Sequence, residues 1–420
     1  LSAAGDPFAA IAAFDDRVRT TTLASGVRVV SDPDPAAVSA AVSVWVGAGS
    51  RDEPPEAAGA FHFLEHLLFK GTQRRSAHEV NVAIDSVGGE LNAFTSKEMT
   101  AFFARVPATE TAMATDLLAE LVLEPALDPD DVDAEREVIL EELAMVWDAP
   151  DELAASLLDE SMFVGHGLGW EVLGRPETLE AMTLEQLADI HLRCYRRGPL
   201  VVAAAGAVDH DALVEQVGER FSEPTSDGPA REVPQPTIRA AHREVRDSEQ
   251  VHVAHGWRGV PLDDPDRWAL AVLLHAFGDG PSSRLYREVR DERGLAYSIG
   301  TTAASYSDAG VVQLTYGATA RHLDEVAEVV DAQLEAILRD GIEDAERRVA
   351  QGYLRGSLLL SLEDAGSRMS RLGGGAVARG HVEPLAEALA GYAAVTNDDV
   401  RRVAARIFDG DRATVLVGPV

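Results

Sequence analysis

The sequence has a single cysteine, Cys194, in 420 residues, so no intrachain disulfide framework can hold it together and a reducing compartment is expected. Positive charge is scarce. Lys plus Arg number 37 against 70 Asp plus Glu, and the resulting formal charge of −33 repels phosphate backbones, which argues against nucleic acid as a partner. Basic peptides and cations are the favoured visitors of such a surface. Long apolar runs are also missing. The longest, residues 199–208, is about half the length that a bilayer-crossing helix needs, so no membrane partner is expected. No basic residue precedes Arg17 and no compact apolar block opens the chain, so no signal peptide is expected and the expected location is cytoplasmic.

What remains is a chain built to fold. With 46% hydrophobic and 25% charged residues it can bury a sizeable core, and a prior of about 150 residues per domain allows two or three domains. Apolar periodicity alternates between strands and helices. Residues 26–30 read as the second arm of a hairpin, 40–46 as a strand, and 55–69 and 78–86 as helices. Paired strands are expected over 91–106, mostly helix over 110–192, and a strand over 200–207. Residues 223–236 turn to Pro, Ser, Thr, Asp and Gly and read as a linker.

The second half repeats the first. Val42-Ser-Val-Trp-Val-Gly47 lines up with Val251-His-Val-Ala-His-Gly256, an offset of 209, and Asp133-Ala-Glu-Arg-Glu-Val138 with Asp344-Ala-Glu-Arg-Arg-Val349, an offset of 211. The expected organisation is an N-terminal extension over 1–20, an α+β domain over 21–222, a linker over 223–247 and a second α+β domain of the same fold over 248–420.

The chemistry concentrates on residues 57–69, AAGAFHFLEHLLF, a helix apolar nearly all round. Its only ionisable side chains are His62, Glu65 and His66. At 100° per residue Glu65 lies about −60° and His66 about +40° from His62, so all three share one face. Two imidazoles one turn apart can chelate one ion, and His-x-x-Glu-His is the inverted form of a zinc-peptidase motif. A third ligand can be sought on the amphipathic helix 129–147. Setting Glu135 at 0°, Glu142 falls at about −20°, Ile139 at about +40° and Val146 at about +20°. Both carboxylates therefore lie in the apolar stripe, expected to comprise Val132, Val138, Ile139, Leu143, Met145 and Val146, while Glu137 and Glu141 face away. A carboxylate on a core face must be compensated. A metal bond, a hydrogen bond from a ligand histidine or a buried salt bridge to an arginine would each do so.

Gly59 to Thr72 (GAFHFLEHLLFKGT) and Gly89-Glu-Leu-Asn-Ala-Phe-Thr-Ser-Lys-Glu98 closely resemble the pitrilysin-type zinc peptidases, family M16. Length and two-part build are similar to the mitochondrial processing peptidase β-subunits and their bacterial relatives. The resemblance implies two α/β-roll domains with mostly antiparallel sheets flanked by helices, forming half of a clam-shell chamber. It implies one zinc per chain held by His62, His66 and Glu142, with Glu135 supporting the ligands and Glu65 as general base. Such a site leaves an open position for a water of lowered pKa. The resemblance further implies that Arg290 and Tyr297, in Arg-x₆-Tyr, hold substrate and stabilise the tetrahedral intermediate, and that Asn92, Ala93, Phe94 and Thr95 form an edge strand that binds peptide by β-addition. At offset 209 His66 maps to His275 but His62 to Ala271 and Glu65 to Leu274, and at offset 211 Glu142 maps to Tyr353, so the second half is expected to lack the metal set.

The expected function is a zinc endopeptidase acting on short or unfolded, possibly basic, peptides. A homodimer is the expected assembly, with a heterodimeric processing peptidase or a non-catalytic scaffold as the alternatives. Gly373 to Gly375 is expected to be a flexible turn, with a hinge or substrate contact as the other reading. Gly278-Asp-Gly-Pro-Ser-Ser lacks the ending of a phosphate loop, and Cys194 lacks the local signature of a nucleophile.

Overall fold

The computed structural model describes residues 7–419, and the first six residues of the expected extension lie outside it. Eleven strands form two sheets. The first contains β1 (Arg19–Thr22), β2 (Arg28–Pro33), β3 (Ser39–Val46), β4 (Glu90–Thr95), β5 (Thr100–Pro107) and β6 (Leu200–Gly206), in the order β1-β2-β6-β3-β5-β4. The second contains β7 (Ala241–Val245), β8 (Val251–Arg258), β9 (Ala296–Ser305), β10 (Gly310–Ala318) and β11 (Ala413–Gly418), in the order β7-β11-β8-β10-β9. Each sheet has one parallel pair, β2 with β6 and β7 with β11, and all other pairs are antiparallel. Removing β1 makes the two orders identical. The repeat is therefore one of whole topology, in line with the expected α+β fold of mostly antiparallel sheets flanked by helices.

The period of two along each strand divides the core. Val42, Val44 and Val46 of β3 join Phe102, Ala104 and the helix bearing His62 in one cluster, while Ala41 and Trp45 point the other way onto Met369, Leu372 and Ala376. Strand β6 (LVVAAAG) is buried at every position, as expected of a strand covered on both faces. That double cover explains how the chain divides. Of the described residues, one compact unit comprises 7–143, 171–231 and 359–388; the other comprises 144–170, 232–358 and 389–419. The helix Ala365–Arg379 thus closes the first sheet, and Pro150–Met162 closes the second, packing on β8 and β11. The units are interleaved, so contiguous domains over 21–222 and 248–420 do not describe them. A sheet with two apolar faces needs helices on both, and here each second helix comes from the other half of the sequence.

Two further expectations are corrected at the boundaries. The described part of the N-terminal extension is built in: Pro7–Arg17 is helical, Arg17 bonds Asp32 at 2.8 Å, and the Asp15 carboxylate accepts from the backbone N–H groups of Leu385 and Ala386. The expected linker 223–247 contains β7, so the second repeat begins at Ala241.

Gly373 to Gly375 is neither a turn nor a hinge but lies inside the helix Ala365–Arg379. Gly373 is there because the Trp45 indole takes the space of a side chain. A Cβ at 373 would stand 1.9 Å from Trp45 Nε1, which is itself held by Ser43 Oγ at 2.7 Å. A Cβ at 374 would meet nothing closer than 3.7 Å. Gly373→Ala should therefore lower stability by about 1–3 kcal/mol through overpacking, whereas Gly374→Ala should raise it by up to about 1 kcal/mol through helix propensity. Urea unfolding of the two variants beside wild type checks this, and equal effects would contradict it.

Candidate metal centre

The first unit positions its polar cluster from one short buried helix, Ala60–Leu68. It is shorter than the sequence pattern suggested, because residues 55–57 form a separate 3₁₀ turn and Gly59 breaks the run at φ +95°. Only glycine serves there: a Cβ would lie 2.7 Å from Leu173 O and 2.9 Å from Gly174 Cα. Glu53 caps the helix start, accepting from Gly59 N at 2.8 Å and Phe61 N at 2.7 Å. Burial pushes its carboxyl up to about 8 against the pull of those two bonds. Ala60, Phe61, Phe63, Leu64, Leu67 and Leu68 are buried, which leaves His62, Glu65 and His66 on the one open face, as the 100° count required.

The facing helix is Pro129–Asp148. Its buried seam is Val132, Glu135, Ile139 and Leu143, narrower than expected: Val138 and Met145 are exposed and Val146 is half-buried. Glu137 and Glu141 face solvent as expected. Glu142, at the edge of the seam, brings Oε2 to 3.8 Å from His62 Nε2 and 3.5 Å from His66 Nε2. Tetrahedral zinc with bonds of about 2.0–2.2 Å needs donor atoms about 3.3–3.6 Å apart. The separation of 3.5 Å lies in that range and that of 3.8 Å just beyond it, so the two imidazoles and the carboxylate would close on such an ion with a small shift of the Glu142 side chain. Among the described residues no other group of three or more His, Cys, Asp or Glu side chains forms such a cluster. Burial, with the neighbouring His66 adding to it, lowers His62 to about 4, so it is neutral with its lone pair available at neutral pH. His62 Nδ1 is buried and has no hydrogen-bond partner.

Glu135 is almost fully buried and is compensated twice. Its Oε2 lies 3.0 Å from His66 Nδ1, and its Oε1 is paired with the Lys70 ammonium. A carboxylate can only accept, so His66 Nδ1 carries the proton and Nε2 is left to face Glu142. Lys70 was not singled out from sequence. The alternative considered there, a salt bridge to an arginine, is met in kind by this lysine. Glu65 is raised by burial, opposed by a hydrogen bond from Thr95 and by His66, and raised again by Glu142. The Thr95 hydroxyl donates to Glu65 Oε2 at 2.6 Å.

Thr95 ends β4, which is an edge strand with regular pairing to β5 throughout. Asn92 and Phe94 are exposed, Ala93 and Thr95 half-buried, and Asn92 Oδ1 accepts from the following backbone N–H at 2.8 Å. In the second unit, Arg290 lies in the turn of π-helix Tyr286–Glu292, its guanidinium 4.7 Å from the Tyr286 ring and 4.5 Å from the Tyr297 ring. Tyr297 is the second residue of β9 and is 76% exposed.

The positions in the second unit that align with the metal set have been remade. His275 is bonded to Asp279 at 3.2 Å and stacked on Tyr353 at 4.1 Å. Glu346, aligned with Glu135, forms a two-point pair with Arg284 at 2.6 and 2.7 Å. His275, Arg284 and Glu346 line a cavity of about 540 Å³. Cys194 is half-buried, and burial raises its thiol to about 11, which suits an inert role.

Known proteins place the chain in a family. Residues 28–175 match the family described as insulinase, peptidase family M16, and residues 181–353 match the peptidase M16 inactive domain. An uncharacterized zinc protease of Mycobacterium tuberculosis is 42% identical over 420 residues, covering 99% of this chain and 95% of the relative. One from Streptomyces coelicolor is 40% identical, covering 96% and 90%. A probable mitochondrial-processing peptidase β-subunit of Arabidopsis thaliana is 32% identical, covering 96% of this chain and 78% of its own length. Among solved structures, a protease from Helicobacter pylori superposes with TM-score 0.88 at 24% identity, over 95% of this chain and 99% of that one. An M16 inactive-domain structure from Pseudomonas fluorescens gives 0.90 at 20%, over 96% and 98%. The chain belongs to peptidase family M16, and its relatives include zinc proteases and a processing-peptidase β-subunit.

The cap on the motif helix yields a pH test. A carboxyl raised from its ordinary value of 4.5 to about 8 in the folded state takes up a proton on folding between those pH values. Stability from Glu53 is then full below about pH 4.5 and is lost as pH rises through 8, at up to about 1.4 kcal/mol per pH unit. Urea unfolding of wild type and Glu53→Gln at pH 5, 6.5 and 8 should show a falling wild-type curve and a flatter variant curve. Parallel curves would contradict it.

Proposed function

We propose that the chain is a zinc endopeptidase that cleaves short or unfolded peptides, and that His62, His66 and Glu142 hold one zinc ion per chain. The observation that carries this reading is the convergence of two imidazoles and one carboxylate, their donor atoms all within 4.8 Å of one another, with Glu65 on the same helix face. Zinc in a three-ligand site supplies Lewis acidity towards water and a peptide carbonyl. Glu65 is the general base: burial raises its carboxyl above the ordinary value, and Thr95 engages Oε2, leaving Oε1 as the oxygen not used by that bond. The same carboxyl then returns the proton to the leaving amine. Glu135 holds the His66 ring in the tautomer that presents Nε2.

Strand β4 supplies the peptide platform. Among the described residues its outer edge carries no strand partner, so main-chain hydrogen bonds along Asn92 to Thr95 would bind an extended peptide with little regard to its side chains. The charge of −33 favours basic peptides by steering. Arg290 and Tyr297 would stabilise the developing oxyanion, the guanidinium stacked on the phenol ring keeping the hydroxyl polarised. Because one chain carries both elements, a homodimer suffices and a heterodimer is not required. The scaffold alternative is not favoured, since all three donors and the base are present.

Hydrolysis of a quenched-fluorescent basic peptide by metal-stripped protein tests the reading. One equivalent of zinc should restore cleavage, and Glu65→Gln should bind zinc yet lose about 10²–10⁴ of the rate. Zinc-loaded wild type that cleaves no unfolded peptide would overturn it. Mixing Glu65→Gln with Tyr297→Phe protein should regenerate activity on subunit exchange, and no recovery despite demonstrated exchange would remove the homodimeric site.

A further inference from the structure

The support of His66 does not end at Glu135. Lys70 follows the motif helix by two residues, its backbone N–H still bonded to Leu67 O at 3.1 Å, and its ammonium reaches the Glu135 oxygen that His66 does not use. The chain there is firmly placed. Thr72 N bonds Arg75 O at 2.7 Å, and the Thr72 hydroxyl and the Arg75 guanidinium both bind the fully buried carboxylate of Glu120. Lys70 is therefore held at the foot of the helix by the turn that follows it. A carboxylate 4% exposed on an apolar seam needs a partner on each oxygen, and His66 occupies only Oε2. Lys70 is the cation that pairs with it.

We infer that Lys70 is a positioning residue for the metal centre: its ammonium holds Glu135 Oε1, which fixes Glu135 Oε2 against His66 Nδ1 and so leaves Nε2 of His66 turned to the zinc position. The inference rests on the zinc reading above. The second unit supplies a contrast. Its aligned carboxylate, Glu346, also has a cation, Arg284, but its aligned histidine, His275, is held by Asp279 instead. There the cation and carboxylate pair is purely architectural. In the first unit the same pair is extended by one bond to a metal ligand, and that bond gives Lys70 a function.

Zinc affinity separates the two roles, measured on the full chain by competition with a chromophoric chelator, with the melting midpoint of the metal-free protein alongside. Lys70→Met should weaken zinc binding about tenfold, at the lower end of the 10–100-fold range seen for partners of metal ligands. Lys70→Arg, which keeps the charge, should restore affinity to within about threefold of wild type, within that same scale of effect. In the Glu135→Gln background, Lys70→Met should have no further effect, because its route to the metal is gone. Wild-type affinity in a folded Lys70→Met protein overturns the inference and leaves the zinc site standing. A Lys70→Arg protein as weak as Lys70→Met, with both metal-free forms melting early, assigns Lys70 to architecture alone and also overturns it. Wild-type protein that binds no zinc overturns the site and this inference together. Should Lys70→Met fail to fold, Lys70→Gln is read in its place.

Discussion

The candidate metal centre of the first unit turns on one buried carboxylate. Glu135 sits in the apolar seam of its helix, where an unmatched carboxylate would cost several kcal/mol or become neutral. Every polar feature around it follows from the need to match that charge: a lysine on one oxygen, a histidine N–H on the other, and a second imidazole and carboxylate arranged beyond. The surrounding packing exists to make this arrangement rigid. Phe61, Phe63, Leu64 and Leu67 leave the motif helix one polar face, and the sheet residues Val42, Val44 and Val46 fix how deeply it sits.

Much of this was legible in the sequence because helical geometry is strict. Once residues 57–69 and 129–147 read as helices, the 100° step put His62, Glu65 and His66 on one face and Glu135 with Glu142 on another, and the side chains stand accordingly. The repeat was legible for a similar reason, since strand alternation and the Asp-Ala-Glu-Arg segments recur at nearly one offset, and the two sheets share one order. The missed features depend on tertiary partners. Lys70 looks like any surface lysine until its distance to Glu135 is known. Glu53 sits among prolines and acids, and only the N–H groups of Gly59 and Phe61 show what it does.

Glycine misled for a related reason. Three in succession signal a turn by propensity, but at Gly373 the deciding factor is the Trp45 indole, a residue more than three hundred positions away. The interleaving of the units was equally out of reach. Periodicity shows that a strand such as β6 is covered on both faces, yet not that the second cover comes from the other half of the chain. In the second unit the same strand order carries a different polar interior, Arg284 with Glu346 and Asp279 with His275.

The central claim is that His62, His66 and Glu142 form a zinc site. Anomalous scattering at the zinc absorption edge, from crystals of the zinc-loaded protein, tests it directly. The expected result is one peak per chain, about 2.0–2.2 Å from Nε2 of His62, Nε2 of His66 and a Glu142 carboxylate oxygen. Absence of a peak there, or zinc bound elsewhere on the chain, would contradict the account.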